Sequence, residues 1–243
     1  MGGQAVRRLD GWTVRTTALA CAVVLLTVYP SNRLTAQVGY EPGHSPYRDI
    51  PRGGVTLLTF GYLGGGRGSV GVGLSSWASG GLRYETVLGG AIGVSFGLAY
   101  AQTTRFVVDP YKDTLSRKRG PYDNHVVLAD AGLQLVLTGK KTWHGIAPYL
   151  GGALGLAAGG GSPHDTSGYD FGTKFALMPE AGIRWYPARR VSIRADFRVV
   201  GWKLTYPATY KVTYNETPVL GPTAPLSEWT WHPWVTLGLG WTF

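Results

Sequence analysis

Apolar and polar residues alternate along most of this chain, and the alternation is clearest at its C-terminal end. In the segment 229–243, every second residue is apolar and the residues between are mostly small or polar; the last apolar positions are Val235, Leu237, Leu239, Trp241 and Phe243. A repeat of two residues predicts a strand with one apolar face and one polar face. Similar segments occur seven more times, so the sequence predicts eight strands: 53–63, 76–88, 92–108, 125–138, 145–158, 171–186, 191–206 and 229–243.

The connections between these strands alternate between short and long. Short connections fall near 89–91, 139–144 and 187–190, and long ones at 64–75, 109–124, 159–170 and 207–228. Transmembrane β-barrels of bacteria have short periplasmic turns, longer extracellular loops and an even number of strands. The pattern therefore predicts an all-β protein, an eight-stranded antiparallel up-and-down transmembrane β-barrel.

The N-terminal region has the pattern of a secretory signal peptide. Arg7, Arg8 and Arg15 precede an apolar stretch at 17–28, and Ala36 ends a plausible cleavage site. A membrane anchor helix is the alternative, but the apolar stretch is shorter than the roughly 20 residues that a spanning helix needs. We therefore predict a signal peptide at 1–36, a periplasmic lead-in at 37–52 and the barrel at 53–243.

Composition narrows the class of protein further. Cleavage after Ala36 removes Cys21, the only cysteine, which excludes disulfides and a thiol nucleophile from the mature chain. It leaves 19 basic and 13 acidic side chains, a net charge of +6 that suits contact with anionic lipid headgroups. The export signal and the absence of a nucleic-acid motif argue against nucleic-acid binding. The 14 tyrosines and 9 tryptophans fit a membrane–water interface.

The segment 53–243 resembles the small eight-stranded outer-membrane barrels typified by the transmembrane domain of outer membrane protein A. The resemblance rests on the order of strands and loops and on the terminal Phe243. It implies a bacterial outer-membrane location, a monomer, no cofactor and no metal. It also implies that Trp241 and Phe243 form the signal that the barrel-assembly machinery reads.

The predicted inward faces carry many charged residues. Five bases and four acids have inward parity: Arg83, Glu85, Asp130, Lys174, Glu180, Arg184, Arg194, Asp196 and Arg198. Charges away from bulk water persist only when they are paired, and an eight-stranded barrel is just wide enough for side chains to fill it. We therefore predict a salt-bridge network that closes the lumen. A gated ion or proton path is the alternative use of these residues.

The second long loop is rich in basic residues: Lys112, Arg117, Lys118 and Arg119. Arginine and lysine bind phosphates well, and lipopolysaccharide in the outer leaflet carries phosphates. The sequence therefore predicts a contact with lipopolysaccharide, with a solvated loop as the alternative.

A catalytic site has weaker support. Ser162, His164 and Asp165 lie in the third long loop, and His125 and His232 lie near the predicted outer rim. Catalysis needs a nucleophile and a base held within hydrogen-bond reach, and we expect the glycine-rich loop 159–170 to be too mobile for this. The glycine-rich segment 64–68 lacks the Lys-Ser/Thr and the following helix of a phosphate-binding loop, so it is predicted to be a flexible loop. The sequence therefore predicts a non-enzymatic barrel with a structural or surface-interaction role. The alternatives are a small porin or ligand conduit, a lipid A-modifying enzyme, and a soluble barrel with its faces inverted.

Overall fold

The computed structural model describes residues 45–51, 53–161, 165, 167–214 and 217–243. The predicted signal peptide and most of the lead-in lie outside the described residues. In the described part of the chain, no helix is long and apolar enough to cross a membrane.

The described chain forms ten strands, joined by loops and one short 3-10 helix at Ala208–Lys211. The strands are β1 (Tyr47–Asp49), β2 (Val55–Leu63), β3 (Trp77–Gly89), β4 (Ile92–Val108), β5 (Lys118–Val136), β6 (Lys141–Trp143), β7 (Ile146–Gly159), β8 (Gly172–Ala188), β9 (Val191–Thr205) and β10 (Ser227–Thr242).

Eight of these strands close into an antiparallel ring in the order β2-β3-β4-β5-β7-β8-β9-β10. The C-terminal strand closes it: Trp234 to Thr242 of β10 pair with β2, and Ser227 to Trp241 pair with β9. Closure pairs the backbone of every strand on both sides, as a strand in lipid requires. The structure confirms the predicted eight-stranded up-and-down barrel.

Two short strands were not predicted. β1 lies in the predicted lead-in, and β6 lies in the connection 139–144 that was predicted to be a turn. They pair with each other, and β6 continues through a two-residue turn at His144 and Gly145, both with positive φ, into β7. The described strand of the lead-in, Tyr47–Asp49, is thereby attached to the end of the barrel at which the short turns lie.

The outer face of the barrel is apolar and exposed. Along β10 the burial alternates strictly, and Val235, Leu237 and Leu239 are each more than half exposed. Neighbouring strands add Leu58, Phe60, Leu82, Leu98, Leu133, Leu154 and Phe197 to the same surface. Such a continuous apolar band around a closed barrel is suited to contact the hydrocarbon chains of a membrane. This orientation is opposite to that of a soluble ligand-binding barrel, which would face its apolar residues inward.

The described parts of the first, third and fourth long loops contribute packed residues, although 64–68 and 159–170 were expected to be mobile. Val72 and Leu74 of the first loop, Phe171 of the third and Tyr210 of the fourth are fully buried in one apolar core. The glycines at 64–68 are close-packed as well: a Cβ on Gly66 would clash with His232, and one on Gly68 with Tyr206. We call the loop segments 64–76, 167–171, 206–214 and 217–226, together with Asp165, the extracellular cap.

Candidate functional site: the lumen and its cap

Strands β3, β5, β8 and β9 carry the charged residues of the lumen. Because alternate residues of a strand face the same side, Arg83 and Glu85 of β3 point inward together, as do Arg194, Asp196 and Arg198 of β9. Eight of the nine predicted residues are buried and in contact with one another: Arg83, Glu85, Asp130, Glu180, Arg184, Arg194, Asp196 and Arg198. We call these eight residues the lumen network.

Arg194 is the centre of the part of this network that lies nearer the short turns. Its guanidinium, which is fully buried, contacts Glu85 through Nη1 and Asp196 through Nε at 2.6 Å. Arg184 also pairs with Glu85, at 3.1 Å, and donates a hydrogen bond to Gln134. The ring of Tyr149 lies 4.8 Å from the guanidinium carbon of Arg184 and of Arg194, so aromatic and ionic contacts together hold both cations.

Glu180 connects this group to the next one. Its Oε2 pairs with Nε of Arg198 at 3.0 Å and with Nη2 of Arg194 at 3.5 Å, and its Oε1 accepts a 2.7 Å hydrogen bond from Gln134. Asp130 is shared between Arg83, at 2.7 Å, and Arg198, at 3.6 Å. Four arginines and four carboxylates thus form a network with no net formal charge, which is what a buried set of charges requires.

Lys174 does not belong to the lumen network, which corrects the prediction. It is half-buried near the extracellular end of β8, with its ammonium 5.9 Å from the ring of Phe171. Among the described residues, no ion pair joins it to the eight. Its parity is inward, as predicted, but parity does not give the height of a residue in the barrel.

Above the lumen network the interior is aromatic and aliphatic, which the sequence did not predict. Trp202 is fully buried, stacks with Trp77 at 6.4 Å between ring centroids, and meets Phe171 edge-on at 5.6 Å. Trp234 covers Arg198 at 5.2 Å and so joins this aromatic layer to the lumen network. The cavity between these tryptophans has a volume of about 10 Å³, roughly enough for one water molecule. Side chains therefore fill the lumen at both levels.

The two candidate histidines that the structure describes, His125 and His232, do not form a catalytic pair. His232 is fully buried, lies within hydrogen-bond distance of the Gly64 carbonyl and the Thr230 hydroxyl, each at 3.0 Å, and packs on Trp202 at 4.2 Å. His125 is exposed. Ser162 and His164 lie outside the described residues. In the part of the chain that the structure describes, no group of histidines, cysteines or carboxylates is arranged to hold a metal ion.

A buried ion pair fastens the third loop to the barrel. Arg105 of β4 pairs with Asp165 at 2.7 Å, and both side chains are almost fully buried. The other oxygen of Asp165 accepts hydrogen bonds from the backbone NH and the hydroxyl of Ser167, which in turn accepts one from Tyr210 of the fourth loop. Burial raises the pKa of Tyr210 to about 12, so its hydroxyl remains a donor at neutral pH.

A second group fastens the first loop. Glu228, at the start of β10, accepts hydrogen bonds from the backbone NH of Ser69 at 2.5 Å, from its hydroxyl at 2.9 Å, and from Tyr206. Burial and this contact with Glu228 raise the pKa of Tyr206 to about 12. Apart from the local turn at Asp165 and Ser167, these contacts join residues far apart in sequence, and for that reason the sequence alone did not reveal them.

The predicted basic loop is only partly a loop. Lys118 and Arg119 are exposed at the beginning of β5, whereas Lys112 and Arg117 are half-buried in the loop before it. Arg117 donates a 3.2 Å hydrogen bond to the Thr217 carbonyl, which attaches the second loop to the fourth.

Arg67, which the sequence analysis missed, completes a cationic cluster with Lys118. The two cations lie against the same ring, that of Phe106: the guanidinium carbon of Arg67 at 4.9 Å and the ammonium of Lys118 at 4.6 Å from its centroid. Phe106 lies on β4 beyond Tyr100, the last strongly exposed apolar residue of that strand. The two cations therefore lie on the outer wall, just outside the apolar band.

The predicted assembly signal lies at the opposite end. Trp241 is half-exposed on the outer face, and Phe243 is 76 % exposed, with its backbone NH bonded to the Gly54 carbonyl at 3.0 Å. Both aromatic rings are on the surface, where a recognition signal must be.

Solved structures with a similar arrangement are outer-membrane proteins. Neisserial surface protein A is 14 % identical, with a TM-score of 0.46, over 82 % of this chain and 98 % of that one. Ail of Yersinia pestis is 15 % identical (TM-score 0.36; 79 % and 99 % covered). The N-terminal barrel domain of Pseudomonas aeruginosa OprF is 12 % identical (TM-score 0.38; 78 % and 98 % covered). No family profile and no curated protein matches the sequence.

The closed ring, the exposed apolar band and the polar lower lumen define the class of this protein. It is a β-barrel of the bacterial outer-membrane type, and its location is the bacterial outer membrane, as the sequence predicts.

Proposed function

We propose that this protein is a non-enzymatic, non-conducting outer-membrane barrel that supports the cell surface by binding lipopolysaccharide through its extracellular wall. The observation that carries the proposal is the filled interior: the lumen network below, the tryptophan layer above it and the packed cap at the outer end. Neither a substrate pocket nor a continuous path for solutes fits this interior, so function is expected on the outside of the barrel.

The filled interior also argues against the alternative of a small porin. A conduit needs a continuous lumen, whereas Glu180 and Arg194 contact each other across strands and the cavity above them holds about one water molecule. The lumen network therefore has the features of a polar core that replaces a hydrophobic one.

Arg67 and Lys118 support lipopolysaccharide as the ligand. They place two cations on the outer wall immediately outside the apolar band, at the level where the phosphates of lipid A are expected. Arg119, the next residue of β5, is also exposed. A multivalent anion gains from several such cations at once, because each contributes a charge-assisted hydrogen bond.

The test is lipopolysaccharide binding by the folded barrel, measured as the shift in thermal unfolding midpoint when purified lipopolysaccharide is added. The variant R67Q/K118Q is expected to lose most of the shift. The variant R189Q/R190Q is the matched control, because it removes the same charge at the other end of the barrel, and it should retain the shift. Equal loss in both variants would show that net charge alone determines binding and would refute the site.

An enzymatic role makes a different prediction. Lipid A from cells with and without the gene should have the same acyl pattern in mass spectra if the barrel is not an enzyme. A changed pattern would overturn the non-enzymatic assignment.

A further inference from the structure

The end of the barrel that carries the short turns is also strongly basic. Among the described residues, five exposed cations lie there: Arg48, Lys140, Lys141, Arg189 and Arg190. We call them the periplasmic basic patch. In the described part of this end, the acidic side chain is Asp49, which lies opposite Lys141 in the β1–β6 pair. Positive charge remains in excess after it is counted.

The fold gathers these cations onto one side of the mouth. The β1–β6 pair holds Arg48 beside Lys141, and the Ile50 NH bonds to the Lys140 carbonyl at 3.0 Å. The β8 end of the turn that carries Arg189 and Arg190 is attached to the turn between β6 and β7, since the Tyr186 NH bonds to the Gly145 carbonyl at 2.9 Å. Five cations from three separate segments therefore share one surface.

Exposed tryptophans fix the height of this surface relative to the membrane. Trp143, Trp185 and Trp241 are each about half exposed, and all three lie at the turn end of the apolar band. Val191, which follows Arg190 directly, pairs with Trp241, and Ile146 pairs with Trp185. Tryptophan in barrels marks the membrane–water interface, so the basic patch lies at headgroup level and not far out in the periplasm.

A cavity of about 400 Å³ opens beside Lys140. Its walls are apolar at Ile50, Val87 and Ile92, and Lys140 and Asp49 line its polar side. An amphipathic ligand fits such a place, with its acyl part on the apolar wall and its anionic head near the lysine.

We infer that the periplasmic basic patch binds anionic phospholipid headgroups of the inner leaflet and so holds this end of the barrel at the membrane surface. Each basic residue near an anionic surface favours binding roughly fivefold. Screening by salt reduces this gain, so the preference should weaken as ionic strength rises. This binding is separate from the proposed contact with lipopolysaccharide, because it uses different residues at the other end of the barrel.

The experiment measures lipid selectivity of the folded barrel in nanodiscs with equal amounts of phosphatidylglycerol and phosphatidylcholine. Native mass spectrometry counts the lipids that remain bound after release. The wild type should retain phosphatidylglycerol preferentially, and R189Q/R190Q and K140Q/K141Q should each lower that preference by about fivefold or more. R189K/R190K keeps both positive charges and should therefore keep the wild-type preference for phosphatidylglycerol. K174Q removes a positive charge from the interior of the barrel, away from both rims of the apolar band, and should leave the preference intact.

Three results would overturn the inference. The first is a wild type with no preference for phosphatidylglycerol, and the second is a preference that K174Q lowers as much as the two periplasmic variants do. The third is cosedimentation with purified peptidoglycan that R189Q/R190Q abolishes, without any lipid preference, which would make peptidoglycan the partner. A mobility shift between heated and unheated samples on a detergent gel first establishes that each variant is folded.

Discussion

Replacing Glu180 with alanine should destabilise the barrel strongly, because this side chain is fully buried and connects the two halves of the lumen network. The change leaves Arg198 without its 3.0 Å partner, Arg194 without its 3.5 Å partner and Gln134 without a 2.7 Å acceptor. Removing one member of a buried ion pair costs about 3–5 kcal/mol, and each unsatisfied buried donor alone costs about 1–3 kcal/mol. We expect the free energy of unfolding to fall by about 3–5 kcal/mol.

The assay is guanidinium unfolding of the barrel in lipid vesicles, followed by tryptophan fluorescence and by gel mobility. Lys174→Ala is the control, because it removes a charged side chain from the same strand but outside the lumen network. It should change the free energy by less than about 1 kcal/mol. Glu180→Gln retains the shape and part of the hydrogen bonding, so it should fall between the two. A loss below about 1 kcal/mol for Glu180→Ala, or equal losses at both positions, would refute the network as a source of stability.

Three further changes test other parts of the barrel. Gly182→Ala should lower the free energy of unfolding by about 3 kcal/mol or more in the same assay, because the added Cβ would clash with Tyr149 and lie 2.6 Å from the Ala195 carbonyl oxygen. Gly152→Ala is the control and should be tolerated, because its added Cβ would have no atom closer than 3.9 Å. Asp165→Ala should release the third loop and speed its proteolysis at least tenfold while the strands stay resistant; an unchanged rate would contradict the role of this pair. Arg105→Gln should have the same effect as Asp165→Ala, and the double variant should add little to either.

The strands and the lower lumen were predictable because both depend on local alternation. A run such as Arg194, Asp196 and Arg198 between apolar neighbours gives the inward face directly. In the extracellular half of the barrel, however, both faces are apolar. Trp202 and Leu204 face inward there while Trp229 and Trp231 face outward, so polarity no longer separates the two sides.

The cap and the lead-in depended on contacts that no local pattern shows. Glu228 and Ser69 are 159 residues apart in sequence, and β1 pairs with β6 across the end of the barrel. Glycine-rich composition predicts mobility in 64–68, but Gly66 is needed there because the ring of His232 occupies the space of a side chain. A glycine can allow close packing as well as conformational freedom of the backbone, and composition does not distinguish the two roles.

The most direct test of the central claim, a barrel whose lumen is filled by its own side chains, is a recording of ion conductance in planar lipid bilayers. The protein would first be shown to be folded by its mobility shift, and insertion would be verified in vesicles of the same lipid. We predict no steady conductance steps from the wild-type barrel, because the lumen network and the tryptophan layer leave no continuous path. Reproducible steps of uniform size from the folded, purified protein would contradict the account and favour a porin.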